Sequence, residues 1–164
     1  MLESKKIIEI PAYRAVGMKW DGAYTEISSL KEMIQTMSER VQEIPQVLYP
    51  HIQLGLSYHL RPDGFVHYSV YEVERGAETP EGMVEINVPR HTYVKVHHHK
   101  GQDIGQSYAN IRDWFKASNY APYREKGVTY YDELPIKHEH YPKERNINDP
   151  HFDILIPIIK ERKE

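Results

Sequence analysis

Two segments of this chain, IEIPAYRAVGM (residues 8–18) and INVPRHTYVKV (residues 86–96), follow one pattern. Each has an apolar lead-in, a proline, and then alternation through Val16 or Val94, and the two prolines, Pro11 and Pro89, stand 78 positions apart. Each run reaches a glycine, Gly22 or Gly101, after which apolar residues recur at three- and four-residue spacing. Ile27, Leu30, Ile34, Met37 and Val41 carry this rhythm in the first copy, and Ile104, Tyr108, Ile111 and Phe115 in the second. Both predict amphipathic helices of about three to four turns. Ile27 and Ile104 are 77 positions apart, so strand and helix repeat in register. A duplicated unit is the strongest constraint here, because both copies must adopt one local structure.

Each helix is followed by a proline-marked loop and two strand candidates. In the first half these are IQLGLSYHL (52–60) and FVHYSVYEV (65–73), joined by the turn residues Arg61 to Gly64. In the second half they are GVTYYDEL (127–134) and HFDILIPII (151–159). A long polar loop, PIKHEHYPKERNINDP (135–150), separates the second pair and is either a lid or a mobile connection. The expected fold is α+β. Two strand–helix–strand–strand units, about residues 6–74 and 83–160 with a linker at 75–82, form one domain of residues 1–164 related by a pseudo-twofold. An antiparallel sheet would carry both helices on one face and a central ligand cleft at the junction.

Composition removes several function classes. There is no cysteine, hence no disulfide, thiolate metal site or cysteine nucleophile. A net charge of −3 with scattered basic residues, apart from the terminal KERKE, argues against direct nucleic-acid binding. ILIPII (154–159) is too short to span a membrane, and MLESKKIIEIP lacks the apolar core of a secretion signal, so a cytoplasmic protein is expected. Thirteen tyrosines stand against 3 phenylalanines and 2 tryptophans. Tyrosine joins apolar area to a polar tip, which suits a binding cavity.

In FVHYSVYEV the alternate residues Val66, Tyr68, Val70 and Glu72 share one face of a strand. A carboxylate on that face either hangs over the strand end or anchors a ligand. His97-His98-His99 and His138-Glu139-His140 each place only alternate residues on one face, and nothing in the sequence brings the two groups together, so no metal is expected. No Gly-x-Ser-x-Gly turn and no glycine-rich phosphate loop is present, and nothing calls for a cofactor.

FVHYSVYEV, PEGMVEINVPRHTYVKVHHHKG, YANIRDWFKASNYAP and DILIPI, taken in order, resemble GyrI-like domains. These are the effector-binding domains of AraC-type and MerR-type multidrug-responsive regulators, found also as free-standing proteins. The matching positions are Tyr68 to Val73, Pro80 to Pro89, Tyr93 to Gly101, Trp114, and Ile156 to Ile158. The resemblance covers about residues 6–160, so the expectation is an effector domain without a DNA-binding helix-turn-helix.

The resemblance implies an aromatic-lined cleft in which a buried glutamate meets lipophilic cations, and that glutamate falls on Glu72. Tyr68, Tyr93, Tyr131 and Trp114 are the candidate walls, with Trp20 at the rim. Tyr68 and Trp114 have an alternative place in the core. Two positions depart from the family: Tyr71 replaces a glycine, and Thr129 replaces a glutamate for which Glu133 could substitute. The expected partner is an amphipathic, lipophilic small molecule. An alternative is a hydrolase of electrophilic, cyclopropane-bearing compounds using Glu72 and Tyr131, as the resemblance also implies for some members. A second alternative is binding to a protein partner in an inhibitory or shielding role.

Overall fold

The computed structural model describes residues 5–146 and 148–161; the leader reading at residues 1–4 and the end of the KERKE run lie outside it. The elements in chain order are β1 (Lys6–Ile10), β2 (Tyr13–Ala23), α1 (Ile27–Glu39), β3 (Ile52–Arg61), β4 (Gly64–Val73), β5 (Val84–Val88), β6 (His91–His98), α2 (Ile104–Ala117), β7 (Tyr120–Pro122), β8 (Ile136–Pro142) and β9 (Phe152–Lys160). Every strand pairing is antiparallel, and the sheet runs β1-β6-β9-β8-β3-β4-β2-β5 with β7 on β9. The fold is α+β. Exchanging β1 with β5, β2 with β6, β3 with β8 and β4 with β9 reverses this order and leaves it unchanged.

Pro11 and Pro89 fall between strands, where a residue without an N–H interrupts the ladder. The interruption redirects the chain. β1 pairs with β6 of the second half, and β5 pairs with β2 of the first. β5 lies at one end of the order and β6 near the other, yet two residues join them, so the sheet must curl.

One strand candidate was misplaced. Residues 127–134 are irregular, and the strand is β8, inside the segment read as a polar loop. Valine, threonine and tyrosine favour strands, but Gly127 takes a positive φ of 82° and Tyr131 is exposed. The backbone there is satisfied elsewhere, by Tyr131 N–H to the His59 carbonyl and by the Asp132 carboxylate accepting from Leu134 N–H. In β8 the alternation is present without hydropathy contrast, because Ile136, His138 and His140 alternate with Lys137, Glu139 and Tyr141.

The register fixes which residues share a face. Cross-strand neighbours Val96, Ile154, Glu139, Gly55, Ser69 and Met18 form one row across six strands. Both helices cover this face. Met37 of α1 packs on Val16, Tyr71 and Val73, while Tyr108, Ile111 and Phe115 of α2 pack on Val94, Val96, Ile154 and Ile156. Asp103 caps α2 by accepting from Gln106 N–H at 2.9 Å. These are two separate clusters, so the central strands β3 and β8 lie under the gap between the helices. A third cluster, Ala15, Leu54, Leu56, Val70 and Val88 with Tyr13, Tyr58, Tyr68 and Ile86 beside it, occupies the opposite face.

Six imidazoles whose proton affinity burial lowers sit wholly or partly inside this structure: His59, His67, His91, His98, His138 and His140. Burial, the largest cause in each case, pushes His138 down to about 3 and His59, His67 and His140 to about 4, and lowers His91 and His98 as well. In the unfolded chain they take a proton near pH 6.5, so between about pH 6.5 and 4 the unfolded state binds more protons. Their contribution is fully present above pH 6.5 and is lost as pH falls. The raised carboxyls of Glu72 and Glu139 act in the opposite sense, but they are two against six. The urea midpoint is expected to fall steadily from pH 7 to pH 4.5; a flat midpoint would show that the imidazoles are not held neutral.

Candidate functional site

The floor of the gap between α1 and α2 is β8, and its central residue is Glu139. Two phenols hold this carboxylate: Tyr108 Oη of α2 donates to Oε2, and Tyr141 Oη donates to Oε1. Tyr141 lies on the same strand face two residues on, with its ring 5.0 Å from that of Phe152. Gly55, opposite Glu139 on β3, makes room for this arrangement: a Cβ there would stand 2.9 Å from the Tyr141 ring and 3.0 Å from that of His67. A cavity of about 260 Å³ opens above Glu139 and Tyr141. Its apolar walls are Ile34 of α1, Ile104 of α2 and Phe152, and its rim includes Arg145, Asn148 and Pro150.

Burial raises the Glu139 carboxyl above the usual carboxylate range; the two phenols and Lys137 pull it partly back. The Lys137 ammonium lies 5.2 Å from the Tyr108 ring centroid and 3.5 Å from Asp132, and burial lowers it. The site is thus a desolvated carboxylate under a cavity whose walls mix aromatic and aliphatic carbon with the polar side chains of Lys31, Gln35, Arg145 and Asn148. A desolvated carboxylate of this kind favours an incoming cation, or a proton, over remaining charged and alone.

Of the seven residues singled out from sequence, three share one sheet face, where Glu72 and Tyr93 both lie near Tyr13, and four lie elsewhere. Tyr68, Tyr93 and Glu72 are on the sheet face away from the helices. There Tyr68, Tyr58, His91, Tyr123 and Tyr130 line a separate cavity of about 290 Å³, while Tyr93 is fully buried beside His138. Glu72 is half-buried at the end of β4, raised by desolvation, and close enough to Tyr13 to raise its hydroxyl in turn. Trp114 stacks on Tyr120 at 5.6 Å along the outer edge of the α2 core. The Trp20 indole N–H donates to Ser29 Oγ at 3.0 Å, at the far edge beside Phe65. Tyr131 and Glu133 are exposed in the irregular segment, with Glu133 3.6 Å from Arg112.

Glu139, Tyr141 and Arg145 went unrecognised because β8 read as loop; the signal available was the period-two alternation of KHEHY. His138 and His140 point to the face opposite Glu139, so the His-Glu-His triplet does not gather on one point. His98 bonds Ser107 at 2.8 Å on the helix face, and His97 bonds Asp153 at 2.8 Å on the other. Among the described residues no helix is long and apolar enough to cross a membrane.

The sequence matches the family model of the GyrI-like small molecule binding domain over residues 5–159. It is 30% identical over 159 residues to the transcriptional regulator BrlR of Pseudomonas aeruginosa, covering 93% of this chain and 54% of that protein. The chain therefore spans little more than half the length of that relative. The fold is similar to the crystal structure of the EcmrR C-terminal domain, with a TM-score of 0.67 at 16% identity, over 98% of this chain and 99% of that one. It is similar also to SAV2435 bound to tetraphenylphosphonium, with a TM-score of 0.62 at 11% identity, over 95% and 94%. The chain belongs to the GyrI-like small-molecule-binding domain family.

Proposed function

We propose that this protein captures amphipathic, cationic aromatic molecules in the groove between α1 and α2, with Glu139 as the charge anchor. The observation that carries this reading is the carboxylate itself, held by Tyr108 and Tyr141 at the floor of an apolar cavity. A delocalised cation gains roughly 0.5–2 kcal/mol for each aromatic face it meets. It also relieves a desolvated carboxylate, which is costly when unpaired. The tetraphenylphosphonium bound to SAV2435, a protein of similar fold, is a ligand of this chemistry. Relatedness to a transcriptional regulator supports a role as an effector-responsive module.

A hydrolytic reading draws on the same geometry, since a carboxyl raised by burial and flanked by phenols is equipped to activate water. One incubation separates the two. The protein is titrated with tetraphenylphosphonium while aromatic fluorescence is followed, and a cyclopropane-bearing electrophile is incubated in parallel and weighed by mass spectrometry. Saturable quenching with both masses unchanged is the expected result. Addition of one water to the electrophile would establish the hydrolase, and no quenching at all would refute capture in the groove.

A further inference from the structure

Arg145 lines the same cavity as Glu139, as does the exposed Lys31, and a half-buried guanidinium is unexpected for a groove that takes only cations. Its guanidinium lies over the Tyr141 ring at 4.6 Å, while the hydroxyl of that ring holds Glu139. One tyrosine thus carries a carboxylate at its tip and a guanidinium on its face. The guanidinium is half-buried, and its hydrogen bonds go to neutral acceptors, the Pro142 carbonyl at 3.2 Å and Gln53 Oε1 at 3.0 Å. Among the described residues no carboxylate lies within 4.0 Å of it. With five N–H donors available to a guanidinium, these two bonds leave donors unspent. Arg145 also borders a second cavity of about 220 Å³, whose other lining includes His51, Gln53 and Lys143 and no acidic residue. The groove therefore has a negative floor at Glu139 and two cations on its lining, Arg145 and the exposed Lys31 of α1, with Lys143 in the adjoining cavity.

We propose that the groove selects zwitterions: molecules with a cationic aromatic body over Glu139 and Tyr141 and a carboxylate received by Arg145. This deepens the capture reading above and rests on it. Arg145 supplies the planar fork that matches a carboxylate with two parallel hydrogen bonds, and a half-buried charge lacking a protein counterion gains from receiving one. A permanent cation with no acidic group would meet the same guanidinium as a like charge.

The test uses two dyes that share one xanthylium cation: rhodamine B, a zwitterion at neutral pH, and its ethyl ester, a plain cation. Anisotropy titrations of the wild type are expected to show the acid bound about tenfold more tightly than the ester, the scale of one charged hydrogen-bond pair. Arg145→Gln should remove that preference by weakening the acid, leaving the ester equal or improved, and Arg145→Lys should retain part of it. Thermal melts check that both variants remain folded, as expected for a residue on the rim. Equal binding of the two dyes, a preference untouched by Arg145→Gln, or binding of tetraphenylphosphonium with neither dye taken up would each overturn the zwitterion proposal while leaving the groove in place. Failure of every cation to bind would instead bring down the capture reading, and the proposal with it.

Discussion

Glutamine in place of Glu139 is expected to weaken tetraphenylphosphonium binding by about 1.5–3 kcal/mol, roughly 10- to 150-fold, the scale of a charged interaction in a desolvated site. The substitution preserves shape. The amide oxygen still accepts from one phenol, and the other phenol turns its hydroxyl to accept from the new NH₂, so neither Tyr108 nor Tyr141 is left unsatisfied. A neutral ligand of similar size, triphenylphosphine oxide, should bind both proteins alike. Calorimetric titration of the two ligands against the two proteins gives the comparison directly; equal losses for both ligands would mean that Glu139 shapes the cavity without supplying charge. The pH dependence has the matching sign. Because burial raises the Glu139 carboxyl, cation affinity should decline as pH falls through that elevated value, at a pH where an exposed glutamate would still be ionised.

The second large effect concerns the sheet. Gly17→Ala should cost about 3 kcal/mol or more and lower the melting temperature by roughly 6–12 °C. A Cβ at Gly17 would stand 2.1 Å from the Ser69 carbonyl oxygen and 2.7 Å from Val70 Cα, both backbone atoms of β4. Neither can withdraw as a flexible side chain would, because β4 is hydrogen-bonded to β2 on one side and β3 on the other. Gly76→Ala is the control, since nothing lies within 4 Å of a Cβ there. A thermal melt of both variants decides the matter. A Gly17→Ala protein as stable as the control would mean that β2 and β4 can separate more freely than their register implies.

Most of this architecture was legible in the residues. Both helices and strands β3, β4 and β9 stand where hydropathy periods placed them, because each buries one face and exposes or shares the other. The face shared by Val66, Tyr68, Val70 and Glu72 was also read correctly. What sequence alternation alone cannot supply is which of two alternating sets a helix lands on, and α1 lands on Tyr71 and Val73 instead. Glu72 for that reason stands on the side away from the helices. β8 stayed hidden for a related reason. Both of its faces are at least partly enclosed, one by α2 and the other by the curl of the sheet, so polar residues occupy both without the contrast that identifies a strand. The segment before it shows the converse error, in which good strand formers at Val128 to Tyr131 yield to a left-handed glycine and to backbone hydrogen bonds with a neighbouring strand.

The exchange of β1 and β5 between the two halves of the chain has a mechanical consequence. Parting the halves to admit a ligand would require three ladders to break together: β3–β8 at the centre, β1–β6 at one end and β2–β5 at the other. Such a frame has no hinge. A guest must therefore be accommodated by the parts that lie on the frame, namely the side chains of α1 and α2 and the rim residues Arg145, Asn148 and Pro150. Any adjustment to a ligand is accordingly a matter of upholstery, with the girders fixed.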